Sequence, residues 1–395
     1  MSAIYLFDDA KARTFEPFAL TRPCGEMRAG ALLIRERWSR ALGAAVVGHI
    51  TSEHLEGFEE PGAAPVLTDG VIPAGAWIAN ARFAPSLQAA PDTDMLVAHG
   101  STVAFRLQDE IPIRNLAGFG TGSGGYGETV GGRWMDEIWD FVGSLVPMLL
   151  EDLPILGVGT SSTLPHGSIR IGEHPVFVEP GAIIEEAVCF DASAGPILIS
   201  RGAHVHAFTR LVGPLYIGQN SIVTADRIAS SSIGDTCKVH GELSNTIFIG
   251  HANKGHDGFV GHSILGRWVN LGAGTITSNL KNTYGSVALW TPSGIRDSGL
   301  QFLGTMFGDH AKTGIGTRLT TGCVLGAGAN VYGSRMPPKA VAPFSWGEAG
   351  EFVDFRLDKF LEIAARVMSR RHVTLTDAAS AQLRRAYDAR WSVAP

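Results

Sequence analysis

Hydrophobic residues followed by glycine recur along the second half of the chain at short, nearly regular intervals. The steps between Val260-Gly261, Leu265-Gly266 and Leu271-Gly272 are five and six residues long. Four such pairs are sixteen residues apart along the chain: Ile217-Gly218, Ile233-Gly234, Ile249-Gly250 and Leu265-Gly266. A hexapeptide rhythm of this kind is the signature of a parallel β-helix, in which each piece forms one side of a coil. Three full hexapeptides need about eighteen residues, so either the corners are shortened or the anchoring position shifts between coils.

The first part of the chain follows a different pattern, in which short apolar runs alternate with helical spacing. Ile4–Phe7, Ala45–Val47 and Trp77–Ile78 are typical of strands, and Gly30–Leu42 has the spacing of a helix. Met95–Arg106 reads as a hairpin around a His-Gly-Ser turn. This alternation predicts an α/β sandwich with a largely parallel sheet.

These patterns divide the chain into three predicted domains. They are an α/β domain over 1–155, a β-helix over 156–345 and a C-terminal helical cap over 346–395. Asp152–Gly167 is interpreted as a linker because it contains two prolines and a Gly/Ser/Thr cluster. An amphipathic helix over Phe352–Met368 and a final helix capped at Thr374–Asp377 are expected to cover the coil or to pack on a neighbouring subunit.

Composition indicates a globular protein with no electrostatic preference for nucleic acid or an anionic membrane. Of the 395 residues, 45% are hydrophobic and 18% are charged, and the formal net charge is −6. The four cysteines form no CxxC pair, which argues against a disulfide framework or a zinc site. The N-terminal apolar run is followed at once by two aspartates, unlike a signal peptide, and no run is long enough to cross a bilayer. A cytoplasmic location is therefore predicted.

A glycine-rich stretch over 117–132 contains eight glycines. Backbone amides of such a loop can cradle a phosphate. The stretch lacks the Gly-Lys-Ser/Thr ending of a P-loop, and no strand clearly leads into it. A flexible loop is the favoured interpretation.

His256 is the leading candidate for chemistry. It lies in a polar turn between glycines, where an imidazole can reach a ligand and accept a proton from an attacking amine or hydroxyl. A histidine on the surface of a coil corner is the alternative. His204 and His206 share one strand face, as a metal-binding pair would. No third ligand follows at a spacing typical of metal sites, so no metal site is predicted.

Asn270 and Asn279 follow hydrophobic positions in regular coils. Asparagine can form a structural ladder along such coils, or it can contact a sugar hydroxyl or a pantetheine amide. His256 precedes the run Val269-Asn270-Leu271-Gly272-Ala273-Gly274-Thr275-Ile276-Thr277-Ser278-Asn279. This arrangement resembles the acetyltransferase half of bifunctional N-acetylglucosamine-1-phosphate uridyltransferases. The resemblance implies a left-handed parallel β-helix with C-terminal helices.

The resemblance also implies roles for individual residues. His256 would be the general base that deprotonates the amino group of an amino-sugar phosphate as it attacks acetyl-CoA. Asn270 would contact the sugar, and Ser278 and Asn279 would help hold the acetyl-CoA thioester. Phe259 stands where the family usually has tyrosine. In the family the acyl donor lies between neighbouring coils, which implies a homotrimer.

The cation that meets the sugar phosphate is less well defined. The lysine with this role in the family aligns with Ser244. Lys254 is the suggested replacement, and Lys281 and Lys312 are further candidates. Each of these lysines has an ordinary solvated lysine as the alternative reading.

The N-terminal domain lacks the G-x-G-T-R loop of the family's nucleotidyltransferase half. Its Leu6–Asp9 segment and the run from Thr21 to Arg28 resemble a variant group of sugar nucleotidyltransferases. Arg22 and Arg28 are candidates for binding the phosphates of a nucleoside triphosphate, with salt-bridged surface arginines as the alternative. Mg²⁺ is expected from phosphoryl chemistry alone, without an assigned ligand.

Three hypotheses remain open. The first is an acetyl-CoA-dependent N-acetyltransferase acting on an amino-sugar 1-phosphate, joined to a diverged sugar-1-phosphate nucleotidyltransferase domain. The second is a nucleotidyltransferase with a purely structural, trimerising β-helix. The third is a non-catalytic assembly protein that binds a sugar nucleotide.

Overall fold

The structure is a computed structural model that describes residues 3–118, 127–160, 163–349 and 351–392. Residues 119–126 of the glycine-rich stretch, for which a flexible loop is the favoured interpretation, lie outside these residues. The chain forms two compact units, 1–138 with 376–389 and 139–375 with 390–395. The units do not coincide with the predicted boundaries at residues 155 and 345, because the C-terminal segment is shared between them.

Five α-helices occur in the described residues. They are α1 (Ile34–Leu42), α2 (Asp140–Gly143), α3 (Leu145–Leu156), α4 (Leu357–Ser369) and α5 (Asp377–Asp388). Helix α3 continues through Pro154, so the first residues of the predicted linker are helical. The segment before α4 is a strand, so Phe352 precedes this helix instead of lying in it.

The first unit is built on a six-stranded mixed sheet. In spatial order its strands are Glu128–Thr129, Met95–Ala98, Ser101–Arg106, Trp77–Asn80, Ala3–Phe7 and Ala45–Ile50. Ala3–Phe7 pairs in parallel with both of its neighbours, and the predicted hairpin over residues 95–106 is confirmed as an antiparallel pair. Smaller two-stranded sheets join Arg28–Ala29 to Leu32–Leu33, Val71–Ile72 to Ile111–Pro112, and Phe83–Pro85 to Gly132–Trp134. Four 3-10 helices complete the unit: Ala12–Thr14, Cys24–Glu26, Glu53–Leu55 and Ile113–Gly118.

The unit is less helical than the predicted alternation of strands and helices. Among its described residues, only α1 and α5 are α-helical. Helix α1 begins at Ile34, four residues later than the apolar spacing suggested, because Leu32–Leu33 first pairs with Arg28–Ala29.

The second unit is a parallel β-solenoid with three long sheets, which confirms the predicted β-helix architecture. The first sheet contains Ile169–Ile171, Cys189–Asp191, Thr209–Val212, Asp226–Ala229, Glu242–Ser244 and Phe259–Gly261. The second contains Val176–Val178, Ile197–Ile199, Leu215–Ile217, Ser232–Ile233, Ile247–Phe248, Ile264–Leu265, Thr305–Phe307, Cys323–Leu325 and Ala340–Val341. The third contains Ile183–Ile184, His204–Val205, Ile222–Val223, Lys238–Val239, Asn253–Lys254, Asn270–Leu271, Lys312–Thr313, Asn330–Val331, Ser345–Glu348 and Glu351–Asp354.

Between Ile217 and Leu265 the coils are shorter than three full hexapeptides, as the sixteen-residue spacing indicated. Successive anchors of the second sheet are Ile217, Ile233, Phe248 and Leu265, which pair in that order. Both explanations offered for the sixteen-residue spacing apply. The corners between strands are short, and the third anchor is Phe248 instead of Ile249. Glycine is needed where coils approach closely: a Cβ on Gly234 would lie 2.3 Å from the carbonyl oxygen of Ile249 on the next coil.

One excursion interrupts the stack of coils. Leu265 pairs directly with Phe307, so the chain between them leaves the second sheet and returns to the adjacent position. Within this excursion, Ile276–Thr277 pairs in parallel with Arg318–Leu319 of the following coil, and Ala288–Thr291 forms an antiparallel hairpin with Gly294–Asp297. The hydrophobic interior of the solenoid remains continuous across this point.

Candidate functional site

A polar column runs along the outer face of the ten-stranded sheet. Four successive coils place Lys238, Asn253, Asn270 and Lys312 in register with one another. The side-chain amide of Asn253 donates to Oδ1 of Asn270 at 2.7 Å. Part of the hydrogen-bonding capacity of Asn270 therefore stabilises an asparagine ladder, while its NH₂ group is left to contact a ligand.

A cavity of about 510 Å³ lies over this column and brings the predicted residues His256 and Asn270 together. Its lining includes four cationic side chains, Lys238, Lys312, Arg370 and Arg371, and the described lining residues include no carboxylate. A cluster of cations without a carboxylate favours an anionic ligand, because unpaired charges in a partly enclosed site are unfavourable.

Two groups in this cavity have strongly shifted protonation. Burial lowers the pKa of the Lys312 ammonium to about 8, and its Nζ donates to the carbonyl of His310 at 3.0 Å. Burial, together with the charges of Arg267 and Arg371, lowers the pKa of His251 to about 3. His251 is thus neutral near pH 7 and adds no positive charge to the cavity.

His256 lies in an exposed turn next to the strand Asn253–Lys254. Gly258 allows the turn to press against the next coil, since a Cβ there would lie 2.2 Å from the carbonyl oxygen of Thr275. The imidazole of His256 makes no hydrogen bond to any residue that the structure describes. It lines the cationic cavity and also a more open groove of about 570 Å³, together with Ala273 and Ile315.

Lys254 takes a different position from the one predicted. It is the inward-facing residue of its strand and only 2% exposed, and it does not line either cavity. Its Nζ donates to the backbone carbonyls of His240 at 2.8 Å and His256 at 2.5 Å. Lys312, the other lysine considered from the sequence, is the one that faces the cavity.

Phe259 and Asn279 both lie beside Gly261 and not in the lining that His256 shares. Both approach Gly261, where a Cβ would lie 2.4 Å from Cζ of Phe259 and 2.7 Å from Nδ2 of Asn279. The Asn279 amide donates to Nδ1 of His262 at 2.9 Å, and burial lowers the pKa of His262 to about 4, so its ring is a neutral acceptor. The hydroxyl of Ser278 donates to a nearby backbone carbonyl at 3.3 Å. None of these three predicted residues lines the two cavities.

Arg22 and Arg28 lie in the interior of the first unit and do not face a phosphate-accepting surface. Arg22 is 1% exposed and forms an ion pair with Glu60 at 2.7 Å. Arg28 is 3% exposed and donates to the backbone carbonyl of Ala31. Arg22 is salt-bridged as the alternative expected, but both residues are buried and neither is a surface arginine.

The sequence interpretation missed three cationic residues of the cavity, Lys238, Arg370 and Arg371. Lys238 occupies the same column position as Asn253 and Asn270, one coil earlier, so the coil register could have identified it. The two arginines follow the end of α4, and no local pattern relates them to the coils.

Three comparisons with known proteins bear on the identity of the chain. Residues 4–160 match a family model described as sugar nucleotidyl transferase. The chain is 28% identical over 131 residues to the bifunctional protein GlmU of Methanococcus vannielii, which is 33% of this chain and 30% of the relative. It is 25% identical over 215 residues to the GlmU of a Synechococcus species, covering 53% and 41%. A bifunctional sugar-1-phosphate nucleotidylyltransferase/acetyltransferase of Sulfurisphaera tokodaii is 31% identical over 91 residues, 23% of each chain.

These matches confirm the predicted resemblance to the GlmU-like bifunctional enzymes, and each of them covers part of the chain. The matched segments span less than half the length of these relatives. The nucleotidyltransferase match falls on the α/β unit and the start of the second unit, up to residue 160. Among the described residues, no helix has the length and apolar character needed to cross a bilayer.

Proposed function

We propose that the solenoid transfers an acetyl group from acetyl-CoA to the amino group of an amino-sugar 1-phosphate, with His256 as general base. The observation that carries this proposal is the position of His256 in the lining of two cavities of different character. A two-substrate transfer needs a base that can reach the nucleophile on one side and the acyl donor on the other.

The cationic cavity suits the sugar phosphate. Lys238, Lys312 and the two arginines after α4 supply positive charge for a phosphate, and the NH₂ group of Asn270 can donate to a sugar hydroxyl. Arg370 and Arg371 can grip phosphate oxygens in a bidentate manner, whereas the lysines act as point charges.

The open groove suits the acyl donor. Its lining includes Ala273, Gly274 and Ile315, a small and apolar surface against which a pantetheine arm can pack. Ile315 in this lining is 80% exposed, and a neighbouring copy of the chain would cover it. This exposure supports the predicted homotrimer, in which the groove is completed between subunits.

The proposed groups account for each bond and each proton in the acetyl transfer. The sugar amine attacks the thioester carbonyl carbon, and His256 accepts the proton that the amine loses. The carbon–sulfur bond then breaks and coenzyme A leaves as a thiolate, which takes a proton from the imidazolium. Acetylated sugar phosphate and free coenzyme A are the products.

For the first unit we propose a diverged sugar-1-phosphate nucleotidyltransferase activity that uses a nucleoside triphosphate. The match of residues 4–160 to the sugar nucleotidyl transferase family supports it. The described residues of this unit assign no ligand to Mg²⁺, because no three metal-ligating side chains converge among them. The acids Asp8 and Asp9 are bonded to Thr51 and Arg82, so no step through a metal is derived.

A cytoplasmic location remains a prediction.

The test is acetyl transfer by the purified full-length protein with glucosamine 1-phosphate and other amino-sugar phosphates. The acetylated product is measured directly by mass spectrometry, because the partly buried free thiol of Cys189 would add background to a thiol reagent. His256→Ala is expected to abolish transfer, and the exposed His174→Ala is the matched control that retains it. No transfer with any acceptor, or equal transfer by His256→Ala, contradicts the proposal.

A further inference from the structure

A second cluster of potential ligands lies on an earlier part of the solenoid. The sequence shows His204 and His206 on one strand face without a third partner, but the structure supplies Glu185 from the preceding coil. The nitrogen and oxygen donors of the three side chains all lie within 4.8 Å of one another. The coil register produces this meeting, since the strand Ile183–Ile184 pairs in parallel with His204–Val205 and Glu185 follows directly.

Both imidazoles point at one oxygen of the carboxylate. Nε2 of His204 lies 2.9 Å and Nδ1 of His206 lies 3.2 Å from Oε1 of Glu185. The other oxygen, Oε2, accepts a hydrogen bond from the backbone amide of Ala207 at 2.8 Å. This bond fixes the carboxylate and leaves Oε1 directed at the two histidines, as an outer-shell contact does for a metal ligand.

The spacing of the donors is close to that of a tetrahedral metal site. Zinc–nitrogen and zinc–oxygen bonds of about 2.1 Å imply roughly 3.4 Å between neighbouring donors. The two histidine-to-carboxylate distances are shorter than this by only a few tenths of an ångström. The two rings are stacked with centroids 4.1 Å apart.

We propose that Glu185, His204 and His206 form a binding site for a divalent transition-metal ion of the zinc class. Two imidazole nitrogens and one carboxylate oxygen are a donor set that zinc accepts, with the fourth position open to water or another ligand. The side chains of Glu185, His204 and His206 are 39%, 31% and 38% exposed, so an ion can enter from solvent.

The site is separate from the proposed acetyltransferase site. In the ten-stranded sheet, the strand with His204 is three positions from the strand Asn253–Lys254. Three strand spacings correspond to roughly 14 Å. Metal binding at Glu185 can therefore succeed or fail independently of the proposed acetyl transfer.

The experiment is a titration of the full-length protein, with any affinity tag removed and metal stripped by a chelator, with Co²⁺ and Zn²⁺. We expect one ion per chain, visible absorption typical of tetrahedral Co²⁺, and displacement of Co²⁺ by Zn²⁺. His204→Ala, His206→Ala and Glu185→Gln should each weaken binding by roughly tenfold or more. Circular dichroism of the metal-free variants verifies that they fold.

Two control variants separate this site from others. His174→Ala tests an exposed histidine on a nearby coil and should bind like the wild type. His240→Ala tests the other group of three potential ligands, Asp226, His240 and Asp257. Absence of the Co²⁺ signal at excess metal, unchanged binding by the three site variants, or loss of binding in His240→Ala alone would overturn the proposal.

Discussion

At the scale of single residues, the buried lysine of the solenoid is the least expected feature. Lys254 takes the inward position of its strand, where the adjacent coils place Val239 and Leu271. Its ammonium bonds two backbone carbonyls, one on the preceding coil and one at His256. The lysine thus ties the turn that carries the proposed base to the neighbouring coil, at the cost of keeping a cation away from water.

This burial predicts a characteristic dependence of stability on pH. Burial lowers the pKa of Lys254 from 10.5 to about 8 in the folded chain. Between these values the unfolded state binds more protons, so folding is increasingly favoured as pH rises. Relative to Lys254→Met, the wild type should gain up to about 3 kcal/mol of unfolding free energy over this range. Chemical denaturation of both proteins at several pH values measures the difference.

The matched control is Lys359→Met, since Lys359 is exposed and pairs with Glu362 on the surface. Its stability difference from the wild type should stay nearly constant across the same range. A flat difference for Lys254→Met as well would show that Lys254 is not a buried cation.

At the scale of elements, the end of α4 completes the cationic cavity. Arg370 and Arg371 follow the last turn of the helix, where the carbonyl groups carry partial negative charge and positive side chains are favourable. The helix therefore contributes guanidinium groups to a cavity whose other cations come from the coils.

Loss of either guanidinium should weaken binding of the sugar phosphate. We expect Arg370→Gln and Arg371→Gln each to raise KM by roughly tenfold, because each removes a charge-assisted hydrogen bond to phosphate, with a smaller effect on kcat. Steady-state kinetics of acetyl transfer at fixed ionic strength measures this. Arg366→Gln, one turn earlier and paired with Glu362, is the control that should leave KM unchanged. Equal effects at all three positions would argue against a specific phosphate contact.

The coil register explains which parts of this site a sequence can reveal. The resemblance to a known family brought His256 and Asn270 together, and the coil register relates Lys238 to Asn270. It could not reveal that Lys254 turns inward, since a lysine in a polar turn has the local pattern of a solvated side chain. Nor could it place Arg371 beside Lys238, because contacts between distant segments leave no periodic signal.

At the scale of the whole molecule, the last helix of the chain belongs to the first unit. Helix α5 buries Leu383 and Ala386, and its N-terminal Thr376 donates to Glu59 at 2.5 Å. Arg385 in the same helix donates to the backbone carbonyl of Glu56. The first unit is therefore assembled from both ends of the sequence, which the predicted linear order of domains did not anticipate.

Replacing a buried side chain of this helix by a smaller one should therefore destabilise the first unit selectively. Leu383→Ala removes a side chain that is 6% exposed and should cost about 2–4 kcal/mol. We expect the thermal transition of the first unit to fall by several degrees while that of the solenoid stays unchanged. Calorimetry resolves the transitions, and limited proteolysis with mass spectrometry assigns them. Asp388→Ala, at the exposed end of the helix, should shift neither transition.

The excursion between Leu265 and Phe307 shows that a solenoid can accommodate extra residues between two of its coils. The excursion leaves from Leu265 and returns at Phe307, which lie on paired strands of the second sheet. The added residues therefore change neither the stacking of the coils nor the hydrophobic interior of the solenoid. The tip of its hairpin, Pro292-Ser293, is exposed. A short peptide label inserted at this tip should leave the fold of the protein unperturbed. The tip is therefore a practical attachment point for following the molecule in solution.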